Sequence, residues 1–128
     1  MSSAKILVAD DSSTVRRLVA ARLAADGYAV VEAEDGDEAL RLAVSERPAL
    51  VVLDKVMPKL DGFEVVRALR SRAETKHLPI VMLTERDAEG DVLEGLDLGV
   101  DEYMPKPFSP RELSARVARA LARNGYRP

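Results

Sequence analysis

Short apolar runs alternate with longer stretches of helical spacing, and few folds accommodate that order. The runs are Ile6–Ala9, Ala29–Val31, Leu50–Leu53 and Ile80–Leu83, with a weaker one at Glu102–Met104. Between them, Val15, Leu18, Val19 and Leu23 fall at helical intervals, with Arg16, Arg17 and Arg22 interspersed. Ala39, Leu40 and Ala43 mark a second helix, and Phe63, Val66 and Leu69 a third. Val92, Leu93 and Leu96 mark a fourth, and Leu113, Val117, Ala120 and Leu121 a fifth. Gly27, Gly36, Gly62, Gly99, Pro48 and Pro79 stand near the segment changes. Ser12 or Ser13 suits the N-cap of the first helix, and Asn124-Gly125 the stop of the last.

Strands that alternate with helices build a parallel sheet covered on both faces. The expected fold is α/β: a doubly wound (βα)5, flavodoxin-like three-layer sandwich with strand order 2-1-3-4-5. Val51–Leu53 and Ile80–Leu83 read as central strands, and the strand ending near Pro105 as an edge. A chain of 128 residues suits one core, expected over residues 4–124, with 1–3 and 125–128 as short flexible termini. The first apolar run is too short for a signal-peptide core or a membrane span. The absence of cysteine excludes disulfides and thiolate metal sites, and a net charge of −3 gives no electrostatic case for nucleic-acid binding.

In such sheets ligands bind beyond the carboxyl ends of the strands. Strand one ends in Asp10-Asp11, strand three in Asp54 and strand four in Thr84, while Lys106-Pro107 follows strand five. Three carboxylates brought together repel and resist full ionisation, a difficulty that a hard divalent cation removes. Mg2+ suits this donor set, and Mn2+ could substitute. With an aspartate as nucleophile and a lysine for a phosphoryl oxygen, the cluster fits acyl-phosphate chemistry. Asp10 and Asp11 alone would fit helix capping equally well, and Thr84 would too. It is Asp54 and Lys106 that favour the chemical reading. His77 reads as solvated, and Met57, Met82 and Met104 as packing residues.

The runs Ile6–Asp11 and Leu53–Pro58, with Asp61-Gly62, Thr84 and Asp101–Phe108, resemble the response-regulator receiver pattern of two-component signalling. The resemblance covers about residues 4–123. It implies that Asp54 accepts a phosphoryl group from a histidine kinase or histidine phosphotransfer protein. Asp10, Asp11 and Asp54, with the backbone carbonyl of Val56, would hold the metal. Thr84 and Lys106 would contact the phosphoryl group, Thr84 and Tyr103 would form a switch pair, and Lys106-Pro107 would be cis. The first helix would dock the donor, and the fourth helix, fifth strand and fifth helix would form the output face. The resemblance further implies a cytoplasmic domain that catalyses only its own phosphotransfer and dephosphorylation. It would be a monomer or a phosphorylation-dependent dimer, acting on an output protein or a fused effector.

Two positions depart from the family's habit. Lys55 follows the acceptor and Glu85 follows Thr84, where small or apolar residues are usual. These bulky groups at the site rim, which could pair with each other, are expected to slow phosphorylation by small donors. An unchanged rate with acetyl phosphate in Glu85→Ala would count against such screening. Between Asp87 and Tyr103 the chain carries seven acidic residues and no Lys or Arg, whereas the last helix offers Arg111, Arg116, Arg119 and Arg123. That contrast suits either a solvated face with ion pairs between neighbouring helices or a charge-steered output surface.

Two other functions compete with a phosphorylation switch. One is an aspartyl-phosphate phosphohydrolase of the haloacid dehalogenase type. Its Asp-x-Asp motif is missing here, because Asp10 and Asp11 are adjacent. The other is a receiver-like scaffold that is never phosphorylated, and the intact acidic set argues against it. Neither glycine-rich nucleotide motif is present.

Overall fold

The computed structural model describes residues 4–85 and 98–126, with Glu85 described in its backbone only. Five strands, β1 (Lys5–Ala9), β2 (Ala29–Ala33), β3 (Leu50–Asp54), β4 (Ile80–Glu85) and β5 (Glu102–Lys106), form one sheet in the order β2-β1-β3-β4-β5. Every neighbouring pair is parallel. The described helices are α1 (Ser13–Ala25), α2 (Gly36–Ser45), α3 (Gly62–Arg70) and α4 (Pro110–Arg123). The helix expected around Val92, Leu93 and Leu96, with the acidic residues Asp87 to Asp97, lies outside the described residues, so the C-terminal helix is labelled α4. The predicted doubly wound order is the one found. Strands β2 to β5 run one or two residues past their apolar stretches, because ladder hydrogen bonds continue into the polar ends.

Side chains of successive strand residues point to opposite faces, and each face has its own core. Ile6, Val8, Leu50, Val52, Val81, Leu83 and Met104 pack with Val19 and Leu23 of α1 and with Leu113, Val117 and Leu121 of α4. Leu7, Ala9, Val51, Leu53, Ile80 and Met82 pack with Ala39 and Ala43 of α2 and with Phe63, Val66 and Leu69 of α3. All five residues of β3 are buried, as befits the central strand. Met57, Met82 and Met104 are buried packing residues, and His77 is exposed.

Caps fix where the helices start. Ser12 accepts from the Val15 amide at the start of α1, and Ser109 does the same for Glu112 at α4. Asp61 and Glu64 form a reciprocal capping box at α3. At the lower edge of the sheet, beside the start of β4 and β5, Arg70 gathers main-chain carbonyls. Its guanidinium donates to Leu98 (3.3 Å), Lys76 (3.2 Å), Leu78 (2.8 Å) and Gly99 (2.9 Å). Next to it, Asp101 accepts from the Ile80 amide at 2.8 Å.

The start of α2 abuts the turn that follows β3. Asp35, its N-cap, reaches Lys59 at 3.4 Å, and Lys59 holds a left-handed backbone (φ 72°). A Cβ on Gly36 would lie 2.2 Å from the Leu60 carbonyl oxygen and 2.5 Å from the Leu60 Cβ. Gly36→Ala therefore forces helix and turn apart. It is expected to destabilise the fold by about 1–3 kcal/mol, the usual range for overpacking, read by urea denaturation. An unchanged midpoint would mean that the turn yields at no cost.

Candidate functional site

Asp10, Asp54 and Lys106 continue the alternation of Val8, Val52 and Met104, which aims them toward the α1 side of the sheet's upper rim. Asp10 follows β1 directly and is 1% exposed; Asp54 closes β3 and is 5% exposed. Asp11 is exposed. One carboxylate oxygen from each of Asp10, Asp11 and Asp54 lies within 4.8 Å of the other two. The Lys106 ammonium stands 3.2 Å from Asp54 Oδ1 and 3.7 Å from Asp10 Oδ2. The predicted acidic set and its lysine thus meet, although they come from three separate strand ends.

Electrostatics follow from this crowding. Burial pushes the Asp54 carboxyl up to about 6, the Asp10 charge adds to the rise, and Lys106 offsets part of it. The Asp10 Oδ1 accepts from the Ser12 amide at 2.9 Å, which holds the carboxylate in the turn. Among the described residues its Oδ2, which is buried, has no hydrogen-bond partner, and neither has the buried Thr84 hydroxyl. A buried oxygen left in that state is costly. Three convergent carboxylates, one with a buried and unsatisfied oxygen, make an all-oxygen donor set that fits a hard divalent cation.

The remaining predicted site residues surround this centre. Thr84 is 4% exposed and, by strand alternation, shares the α3 side of the sheet with Tyr103. Tyr103 is half-buried against the Met82 core, and its carbonyl accepts from Arg116 at 2.7 Å. In the β4–β5 register Met82 pairs with Tyr103 and Thr84 with Pro105, so Thr84 and Tyr103 are diagonal neighbours. The Lys106–Pro107 peptide is cis. Val56 lies in the turn after β3 and is 60% exposed. Lys55 carries its ammonium over the Phe63 ring, 5.6 Å from the centroid. Its expected pairing with Glu85 falls on a side chain outside the described residues.

Sequence reasoning missed three features. Leu18, counted in the apolar stripe of α1, is 67% exposed, whereas Arg16 is buried. The signal was present, since Arg16, Val19 and Leu23 also lie at helical intervals. Beside Leu18, a cavity of about 570 Å³ opens between α1 and α4, lined by Val15, Leu18, Arg22, Phe108 and Leu113 and adjoining Lys106. Finally, three arginines of α4 converge on one carboxylate. Arg116 and Arg119 donate to Glu102 at 3.4 and 2.6 Å, and Arg123 bonds it as well. Glu102 of β5 is thus paired with α4, while the pairing expected between the acidic fourth helix and the last helix falls outside the described residues.

Comparison with known proteins agrees with this arrangement. The family model described as "Response regulator receiver domain" matches residues 6–118. Over 120 residues the chain is 50% identical to the alkaline phosphatase synthesis transcriptional regulatory protein PhoP of Bacillus subtilis, covering 94% of this chain and 49% of that protein. It is 51% identical over 119 residues to the response regulator MprA of Mycolicibacterium vanbaalenii, covering 93% of this chain and 50% of that protein. The chain therefore spans about half the length of these relatives. Among solved structures, the chemotaxis response regulator CheY4 of Vibrio cholerae superposes with a TM-score of 0.88 at 37% identity, covering 93% of this chain and 99% of the other. The receiver domain of the Francisella response regulator 1452 gives 0.87 at 34% identity, covering 95% and 99%.

Proposed function

The chain belongs to the response-regulator receiver domain family, and on that premise we propose that it is a phosphorylation-activated switch with Asp54 as the acceptor. The observation that carries the reading is the meeting of Asp10, Asp11, Asp54 and Lys106 within a few ångströms at one rim of the sheet. The donor is a phosphorylated histidine of a kinase or phosphotransfer protein. An Asp54 oxygen forms a bond to phosphorus while the donor's N–P bond breaks, and the imidazole leaves with the electron pair and takes up a proton. With its carboxyl at about 6, Asp54 is mostly ionised at neutral pH, as a nucleophile must be.

Asp10, Asp11 and Asp54, with the Val56 carbonyl, would hold Mg2+, which when bound neutralises negative charge on the transferring group. Lys106 offers a compact cation to a phosphoryl oxygen. Thr84, whose buried hydroxyl has no partner among the described residues, offers a hydrogen bond to another and couples the event to Tyr103. The output face would be β5, α4 and the segment before β5, acting on a separate protein or a fused effector. The exposed Leu18 and the cavity beside it favour α1 as the donor's docking face. The domain would work in the cytoplasm and turn over no substrate besides its own acyl phosphate. No helix among the described residues is long and apolar enough to cross a membrane.

The test is incubation with acetyl phosphate and Mg2+, followed by intact-mass measurement. The expected result is one alkali-labile phosphoryl adduct that is lost when a chelator replaces Mg2+. A chain that stays unmodified under these conditions, and also with a phosphorylated histidine donor, would be a scaffold.

A further inference from the structure

Adjacent arginines on α1 have opposite environments: Arg17 is exposed, while Arg16 is 8% exposed, on the face that buries Val19, Ala20 and Leu23. Arginine is rarely buried unless it is paired. The Arg16 Nε donates to Glu32 Oε1 on β2 at 3.0 Å, and Nη1 donates to the backbone carbonyl of Asp10 at 3.0 Å. The Asp10 amide in turn donates to the Ala33 carbonyl at 3.1 Å, and Oδ1 accepts from Ser12. Asp10 is therefore tied at its amide, its carbonyl and one carboxylate oxygen. Only Oδ2 is left for the site, 3.7 Å from Lys106.

We propose that Arg16 is a positioning residue of the phosphoryl-transfer site: it pins the turn between β1 and α1 so that Asp10 and Asp11 meet Asp54 at cation-binding spacing. This rests on the function proposed above. Two of the three mutually repelling carboxylates stand on this turn, so their repulsion favours opening it. Arg16 opposes that opening from the buried side. Its planar fork reaches a carbonyl of the turn and a carboxylate on the neighbouring strand at once, and Glu32 fixes the angle of the fork. A lysine carries the same charge at a single point and cannot span both partners. Arg16 touches none of the reacting atoms. It acts through the main chain of Asp10, as groups behind metal ligands commonly do.

The test compares wild type with Arg16→Lys, Arg16→Gln and Glu32→Gln. Calorimetry gives the Mg2+ dissociation constant, amide NMR follows Asp11 and Ser12 in metal-free protein, and thermal melting reports the fold. Arg16→Lys is expected to weaken Mg2+ binding about tenfold, the lower end of the effect of losing a group behind metal ligands. The Asp11 and Ser12 amides should shift before any metal is added. Glu32→Gln, changed on the exposed side of the pair, should weaken binding in the same direction by less. A folded Arg16 variant with a lowered melting temperature but an unchanged Mg2+ constant overturns the proposal, since a purely structural staple behaves that way. If both Arg16 variants fail to fold, an unchanged constant in Glu32→Gln overturns it instead. Wild-type protein that binds no Mg2+ overturns the metal-site reading itself, and this inference with it.

Discussion

Asp54→Asn is expected to take up no phosphoryl group and yet, in chelator at about pH 8, to be more stable than wild type by on the order of 2 kcal/mol. The first half follows from removing the nucleophilic oxygen. The second follows from the acidic cluster. The Asp54 carboxyl is raised from 3.8 to about 6 by burial and by Asp10, against the pull of Lys106. Between those two values the unfolded chain has already released this proton while the folded chain keeps it. Stability therefore falls as pH rises through that window, and the full cost is present above about pH 6. Asparagine cannot ionise and escapes the cost. The pull of Lys106 at 3.2 Å is already contained in that value, so the gain is what remains after it. Urea denaturation of both chains at about pH 8 and below pH 4 checks this: the advantage of Asn should be largest at the higher pH and vanish at the lower. A variant less stable than wild type at pH 8 would mean that the Lys106 pair outweighs carboxylate repulsion.

Glu102→Ala is expected to cost about 2 kcal/mol, although Glu102 lies at the far end of β5 from the acidic cluster. Its carboxylate is 7% exposed and serves Arg116, Arg119 and Arg123 together. Breaking a fully buried pair costs roughly 3–5 kcal/mol. The figure is lower here because Arg119 and Arg123 are half-exposed and screened by water. Burial alone would push the Glu102 carboxyl up. The hydrogen bond and charge of Arg119, with the charges of Arg123 and Arg116, outweigh burial and hold it below its usual 4.5. A depressed carboxylate stabilises the fold above its unfolded value and loses that contribution as pH falls through the folded one. The gap between wild type and Glu102→Ala in urea denaturation should therefore be full at pH 7 and shrink below about pH 4.5. A gap under about 0.5 kcal/mol at pH 7, the range of an ordinary surface change, would mean that the arginines find other partners.

Much of this was legible in the chain. Val51–Leu53 and Ile80–Leu83 revealed central strands because a strand buried on both faces can carry only apolar side chains. Asp10, Asp54 and Lys106 gave away the site because each stands where an apolar strand stops, and parallel strands bring such stops to one rim. What stayed hidden was set by contacts across the fold. Helical spacing identified α1 but did not reveal that Arg16, rather than Leu18, turns inward, since that depends on Glu32 and the Asp10 carbonyl being within reach. The Gly36–Leu60 contact depends on how closely a helix start approaches a distant turn. The opposed charges of the stretch from Asp87 to Tyr103 and of α4 were visible, but not the focus of three arginines on Glu102. The position of Lys55 after Asp54 places it at the rim, and only the fold brings the Phe63 ring beneath its ammonium.

Arg70 gives the two rims of the sheet different duties. Its donors, with the Asp101 carboxylate, bolt together the lower ends of the last two strands using main-chain carbonyls and one amide. Among the described residues, no group there resembles a reactive centre. The domain is thus built like a casement window, fixed along the sill and latched at the top, where Asp10, Asp11, Asp54 and Lys106 stand. Damage to the sill should be felt as looseness of the frame, and damage to the latch as deafness to the signal.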